Sequence, residues 1–435
     1  MAKKLALVLV LLLAAVLVLT ACTVEDYTAT PLTGDTSGEV ESNGGLAVVK
    51  GDYLYYVNGS QASSANDNTY GSVEIGSIVR ISLENFRQAM MSSNTVEVIN
   101  NTSKVLVPKM VYTANTTEKK LNGIFIFGDR IYYATPDTTI DRDGAAQYTR
   151  LALKSCKLDG TDTKHHYIFD KNSYTVALAE VGGRPYAAFV QNSNLYLLDL
   201  SKENVTPSLV FEGVASIKYD TTGNAFFTNS SNDIYSYVFG GQPKLVEDNP
   251  TVEGQSQTSV RYSLVNAQNG VLYYSVTSTY NFESQGVYSL TLNGTKTKLS
   301  TYVPSSYLGT DGKLLVYESA NYSLNLFDPA TKSSTPLVIS KESKAITLTG
   351  IQDGNAVYVS DNKTYMVPLD SSDEAVRLTE VKQLSNWAQA DLCGGYAFFI
   401  ADEAETRGHS VMAVELESPK LTQKIVMRGY IPKTN

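Results

Sequence analysis

A tight polar turn followed by a short aromatic or apolar strand recurs eight times along this chain, and few folds accept such a string of sheet modules. The copies begin Gly51-Asp52-Tyr53-Leu54-Tyr55-Tyr56, Gly128-Asp129-Arg130-Ile131-Tyr132-Tyr133 and Gly223-Asn224-Ala225-Phe226-Phe227. They continue as Asn269-Gly270-Val271-Leu272-Tyr273-Tyr274, Asp311-Gly312-Lys313-Leu314-Leu315-Val316, Asp353-Gly354-Asn355-Ala356-Val357-Tyr358 and Gly394-Gly395-Tyr396-Ala397-Phe398-Phe399, with a degraded copy at Gly182-Gly183-Arg184-Pro185-Tyr186-Ala187-Ala188-Phe189. Following the position of Tyr55 through Tyr132, Ala188, Phe226, Tyr273, Leu315, Val357 and Phe398 gives steps of 77, 56, 38, 47, 42, 42 and 41 residues. The last five approach the roughly 40–50 residues of one four-stranded propeller blade.

Each unit has room for four strands. In the fifth these read Tyr262-Ser263-Leu264-Val265, Val271-Leu272-Tyr273-Tyr274-Ser275, Gly286-Val287-Tyr288-Ser289-Leu290-Thr291-Leu292 and Thr297-Lys298-Leu299. Asn293-Gly294 between the last two suggests a type I′ hairpin, Lys157-Leu158-Asp159-Gly160 repeats the device, and Leu326-Phe327-Asp328-Pro329 replaces it with a proline turn. Strands such as Ile78-Val79-Arg80-Ile81-Ser82-Leu83 and Val411-Met412-Ala413-Val414-Glu415-Leu416 alternate as half-buried strands do. The turn-flanked strands are apolar nearly throughout, as expected where both sheet faces are covered. With 29 Tyr and one Trp, packing between modules must be largely phenolic, ring inside and hydroxyl at a polar edge.

A lone module exposes two apolar faces and two edges, and stacking modules about an axis buries the faces. The expected fold is all-β: a single β-propeller of four-stranded antiparallel blades over residues 46–435, with eight blades, or seven if the degraded third copy is an irregular connection. Two insertions stand out, one between Val57 and Ile124 and one from Pro136 to Gln147. The first holds a polar loop, Ser60 to Thr69, and Leu83-Glu84-Asn85-Phe86-Arg87-Gln88-Ala89-Met90, enough for one or two helical turns. Connections this long are functional or disordered. The pattern from Leu46 to about Met427 resembles a family of bacterial surface propellers of unknown function related to the low-density-lipoprotein-receptor type. That type carries Tyr-Trp-Thr-Asp in its strand, whereas this chain has Tyr-Tyr or Phe-Phe without the Asp. The resemblance therefore implies fold and setting, and no ligand residues.

The N-terminus supplies an address. Lys3 and Lys4 precede an apolar run from Leu5 to Leu19. At about 15 residues this is short for a spanning helix and suits a secretory signal over residues 1–21. Leu19-Thr20-Ala21-Cys22 resembles the bacterial lipobox, which implies that Cys22 is acylated, with palmitate-type chains, and becomes the new N-terminus. An ordinary secreted protein or a start anchor is the competing reading. Buried methylenes at about 0.8 kcal/mol each would hold the protein at a membrane. Polar residues 22–45 read as a flexible tether.

Loss of Lys3 and Lys4 takes the formal charge from −9 to −11. An acidic body argues against nucleic acid as partner. Cys156 and Cys393 fall in different modules and read as separate buried thiols. The three His are His165, His166 and His409. His165 and His166 precede an outer strand and point to opposite faces, so they read as exposed surface residues, as does His409 in its polar turn. Asp141 and Asp143 ahead of Gly144 fit part of a calcium loop, yet Arg150 occupies the twelfth place, so a solvated turn is preferred. Asp52, Asp129, Asp311 and Asp353 read as turn residues. No nucleophile elbow, phosphate loop or redox pair appears, and no cofactor is implied. Channel-facing carboxylates of a glycosidase need a spacing that sequence does not show.

Recognition remains. Trp387, in a first strand near the channel, and Tyr280 and Phe282, at the tip of a long hairpin, are the candidate binding residues, each with packing as the competing reading. The function read from sequence is a monomeric, membrane-anchored extracytoplasmic propeller that binds a protein or glycan partner or acts as a scaffold. A carbohydrate-acting enzyme or glycan-binding module using the channel, and an envelope-protein assembly factor, are the alternatives.

Overall fold

The computed structural model describes residues 32–57, 69–70, 73–74, 78–107, 123–137, 147–170, 176–249, 259–339, 343–361, 363–370, 375–378, 391–403, 408–416 and 423–427. Their strands form eight antiparallel blades arranged in a ring, a β-propeller. Blade three, the doubtful one, is complete: Val176–Val181, Arg184–Gln191, Asn194–Asp199 and Ser208–Glu212 pair in that order.

All eight marker residues fall in second strands, from Tyr53–Val57 in blade one to Tyr396–Glu403 in blade eight. Tyr55, Tyr132, Ala188, Phe226, Tyr273, Leu315, Val357 and Phe398 are no more than 2 % exposed. The residues that follow them, including Tyr56, Phe189, Phe227 and Phe399, are buried as well. Side chains alternate across a strand, so both faces of each second strand are covered, as an apolar run requires. Rings meet within and between strands: Phe169 lies edge-on to Phe189 at 5.1 Å, and Phe227 stacks on Tyr235 at 5.4 Å.

The turns divide by loop length. In the two-residue turns between first and second strands of blades five, six and seven, both residues have positive φ: Asn269 (49°) with Gly270 (73°), Asp311 (45°) with Gly312 (76°), Asp353 (45°) with Gly354 (69°); in Gly51-Asp52 and Gly128-Asp129 only the glycine does. Positive φ at both residues is the type I′ pattern, and a short polar side chain tolerates its left-handed first position. Asn293-Gly294 is different. Only Gly294 has positive φ, Gly294 N–H donates to Thr291 O, and Thr291 N–H donates to Thr295 O. The longer loop selects a type I turn closed by a left-handed glycine, and Lys157 to Thr161 repeats it. The I′ expectation for Asn293-Gly294 is therefore corrected.

The insertion in blade one folds as two helices. Leu83–Met91 (α1) is capped by Ser82, whose side chain accepts from Asn85 N–H at 3.2 Å, and Thr95–Thr102 (α2) follows. Their role is closure of the ring. Each sheet is built from consecutive strands, so blades one and eight share none. Instead Phe86 of α1, fully buried, meets Tyr396 edge-on at 5.0 Å and Phe398 at 5.5 Å, and α2 packs on the outer strand Gln423–Met427. Arg80, the polar residue that interrupts the apolar strand Ile78–Ser82, is buried too. Its guanidinium lies 5.0 Å from the Tyr53 ring centre and donates to Leu158 O of blade two.

Successive blades are also clamped by side-chain amides at their inner strands. Asn43 accepts from Ile126 N–H at 2.7 Å and donates to Ile126 O at 3.1 Å; Asn266 does the same with Gly309, both bonds at 2.9 Å. Gln352 accepts from Leu392 N–H. At the seam between blades eight and one the corresponding group is an acid: Leu46 N–H donates to Asp391 Oδ2.

Residues 32–45, expected to belong to a free tether, are pinned to blade one. Val40–Glu41 pairs with Val49 and Lys50, and Asp35 exchanges hydrogen bonds with Asp52.

Candidate functional site

In an antiparallel four-stranded blade, the first-to-second and third-to-fourth connections lie at one end, and the second-to-third and blade-to-blade connections at the other. The two faces of this ring are therefore unequal. One carries the two-residue turns between first and second strands, together with α1 and α2. The other carries the connections from Val57 to Ile78, Asp137 to Gln147, Ser278 to Ser284 and, between blades, Val107 to Phe125. Long connections carried by a rigid scaffold are where recognition is usually found.

Tyr280 and Phe282 stand on this long-connection face, 87 % and 81 % exposed. The hairpin tip that carries them is internally bonded. Ser278 N–H donates to Glu283 O at 2.9 Å, Phe282 N–H to Ser278 O at 3.1 Å, Tyr280 N–H to Ser278 Oγ at 3.3 Å, and Glu283 N–H to Asn281 Oδ1 at 3.2 Å. Phe282 has φ +58°, a left-handed conformation that is uncommon for a bulky residue. Such strain recurs at functional positions. Sequence reading missed two companions: Tyr302, just past the fourth strand of blade five and 53 % exposed, and Ile339, the last residue of the fourth strand of blade six and 64 % exposed. Fourth strands end on the long-connection face, so both belong to the same side of neighbouring blades. The clue was available, since each is a large apolar residue at or just past the end of an outer strand.

Trp387, Asp141, Asp143 and Cys22 lie outside the described residues. Among the described residues no group of three His, Cys, Asp or Glu is placed to hold a metal, and no helix is long and apolar enough to cross a membrane. Cys156 and Cys393 are both buried and unpaired; burial pushes the Cys156 thiol up to about 12.

His166 overturns the surface reading, for it is 1 % exposed. Its Nδ1 lies 2.7 Å from Lys202 O, which can only accept, so Nδ1 carries the proton. Nε2 then accepts the Ser155 hydroxyl at 2.8 Å, and Ser155 Oγ in turn accepts from Arg130 Nε at 3.0 Å. The pair has the bonding of a serine nucleophile and its base. However, Ser155 is wholly buried and Tyr132 stacks on the imidazole at 5.5 Å, so no substrate reaches it. It is a structural network. Burial is the main cause that holds the His166 pKa below its ordinary value. The unfolded chain takes up the proton below about pH 6.5, so this network's contribution is complete above that pH and is lost as pH falls. Ser155→Ala leaves Nε2 without a donor and should cost about 1–3 kcal/mol in urea unfolding at pH 8.

The buried acid at the seam is Asp391, whose carboxyl is pushed up to about 7 by desolvation. Its Oδ2 is occupied by Leu46 N–H, and a Cβ on Gly45 would fall 2.9 Å from its Cγ. The geometry is that of a latch between blades.

No family model matches the sequence, and no curated protein matches it. Solved structures do. A prolyl endopeptidase is 11 % identical with a TM-score of 0.47 over 72 % of this chain, which spans half of that protein's length. The propeller domain of the Trilobed protease from Pyrococcus furiosus is 10 % identical, with a TM-score of 0.45 over 71 % of this chain and 98 % of that domain. Citrobacter koseri AztD is 11 % identical, with a TM-score of 0.40 over 66 % of this chain and 81 % of its own. At such identities and scores these likenesses assign no activity, ligand or family to this chain; its eight-bladed propeller fold rests on its own strand pairing.

Proposed function

We propose that this chain is an extracytoplasmic lipoprotein, anchored through acylated Cys22, whose propeller is a binding or scaffolding module that recognises its partner on the long-connection face. The single observation that carries the recognition reading is the ordered hairpin at Ser278–Ser284, which holds Tyr280 and Phe282 almost wholly in solvent. Exposed apolar groups that gather on one face mark interaction sites, and aromatic anchors buried on binding dominate hot spots. The anchor reading is supported by the lipobox-like Leu19-Thr20-Ala21-Cys22. The partner is a protein or a glycan, since both offer surfaces on which a ring stacks. An enzyme of the glycosidase kind would need two acids facing a common space. Asp391, the described acid with a raised pKa, is engaged in the seam.

The test is crosslinking from intact cells with the parent and with a Tyr280→Ser/Phe282→Ser double variant. The parent should capture a discrete partner, and the variant should lose capture about tenfold or more with its thermal midpoint unchanged, since neither ring packs on the fold. Equal capture would remove the rings from the site. In the same cells Cys22→Ser should move the protein from the membrane to the soluble fraction; retention at the membrane would end the anchor reading.

A further inference from the structure

We infer that the N-terminal segment is a clasp that fixes the orientation of the propeller on its membrane, with the two-residue-turn face toward the lipid and the long-connection face away from it; this rests on the anchor reading above. Thr33 N–H and Gly34 N–H both donate to Tyr53 Oη at 3.0 Å. Asp35 N–H donates to Asp52 Oδ2, and Asp52 N–H to Asp35 O, both at 2.8 Å. Lys50 Nζ donates to Gly38 O at 3.2 Å. Gly51 has φ +57°, and a Cβ there would fall 2.2 Å from Asp35 O, so glycine permits the approach.

These contacts gather at the first turn of blade one, on the two-residue-turn face. From there Val40–Glu41 runs antiparallel to Ala47–Lys50 along the inner edge of the blade. Gly44 and Gly45 then bond to Ile124, at the opposite end of the inner strand of blade two. The chain therefore enters the ring from the two-residue-turn face and crosses toward the other. Only the residues between Cys22 and Leu32 separate the anchor from the clasp, and ten residues reach at most about 35 Å. Free rotation on a long leash would favour neither face. A leash this short, docked at one face, favours one. The exposed rings at Tyr280, Phe282 and Tyr302 then point away from the protein's own bilayer, toward a partner beyond it.

The experiment uses the mature chain with Cys22 coupled to a maleimide-bearing phospholipid in phosphatidylcholine vesicles, so its outcome does not depend on acylation in cells, which mass measurement of the N-terminal peptide reads separately. A donor dye is placed through an azide-bearing amino acid at Lys332, on the two-residue-turn face of blade six, or at Phe282, on the far face of blade five, with an acceptor dye on the lipid headgroups. The strands separating the faces span roughly 20–25 Å, so energy transfer should be about twofold greater from position 332. An Asp52→Ala/Tyr53→Phe variant, lacking the clasp side chains, should bring the ratio toward one. Equal or reversed transfer in the parent, or a ratio indifferent to the double variant, would overturn the proposal.

Discussion

Gly309→Ala is expected to destabilise the protein strongly, one added methyl breaking a blade junction. A Cβ at this position would fall 1.9 Å from Cγ of the Tyr273 ring and 2.0 Å from Cδ1. Tyr273 has nowhere to go, being 1 % exposed with its Oη accepting from Gly312 N–H at 2.9 Å. Moving the ring would break that bond, and moving the backbone would break the paired bonds between Gly309 and Asn266. Overpacking of a dense core costs about 1–3 kcal/mol, occasionally more, and here two inter-blade devices fail with it. A loss of about 3 kcal/mol or more in urea unfolding is the expected result. Gly312→Ala is the control. Gly312 has φ +76° and nothing within 4 Å of a Cβ, so its cost is the left-handed penalty alone, about 1–2 kcal/mol. Combining Gly309→Ala with Tyr273→Leu should cost less than the sum of the two, because the clash is shared. Full additivity would mean that the ring does not rest on that backbone.

Asp391→Asn should stabilise the protein at pH 8. The folded carboxyl titrates near 7 against an ordinary 3.8, because it is desolvated with Leu46 N–H as the opposing influence. An acid with a raised folded pKa stabilises fully below its unfolded pKa, and that contribution is lost as pH rises from about 4 through 7. A shift of about three units corresponds to about 4 kcal/mol. An amide keeps the acceptor for Leu46 and removes the buried charge, as Asn43 and Asn266 do at other blade junctions. The variant minus the parent should therefore be about 2–4 kcal/mol in favour of the variant at pH 8 and near zero at pH 4. Taking this difference cancels the His166 contribution, which runs with the opposite sign. A variant less stable than the parent at both pH values would show that the seam needs the ionised acid.

The same residues explain how far the sequence could be read. Second strands were legible because both of their faces are buried, leaving an apolar run behind a turn with left-handed residues; even Gly182-Gly183 kept the turn when Ala187 and Ala188 had replaced the rings. α2 was not legible. Thr95-Val96-Glu97-Val98-Ile99 is rich in β-branched residues, which favour strands, and its helix is held by packing on the outer strand of blade eight. Asp391 looked ordinary for a different reason. Only ring closure brings it to Leu46, 345 positions away. His166 likewise gained its partners from Ser155 and Lys202 on other segments. Of the candidate face, the hairpin tip could be seen because Tyr280-Asn281-Phe282 interrupts a long hairpin, whereas the unequal faces required the strand order.

The closed ring underlies every conclusion above, and pulsed electron-resonance distances test it most directly. Spin labels at Asp52, Arg184, Asn269 and Asp353 mark the first turns of blades one, three, five and seven. In a ring of eight, the distance from Asp52 to Asp353 equals that to Arg184, and the distance to Asn269 is the longest. Distances that grow steadily from Arg184 through Asn269 to Asp353 would describe an open array of sheets and contradict the account.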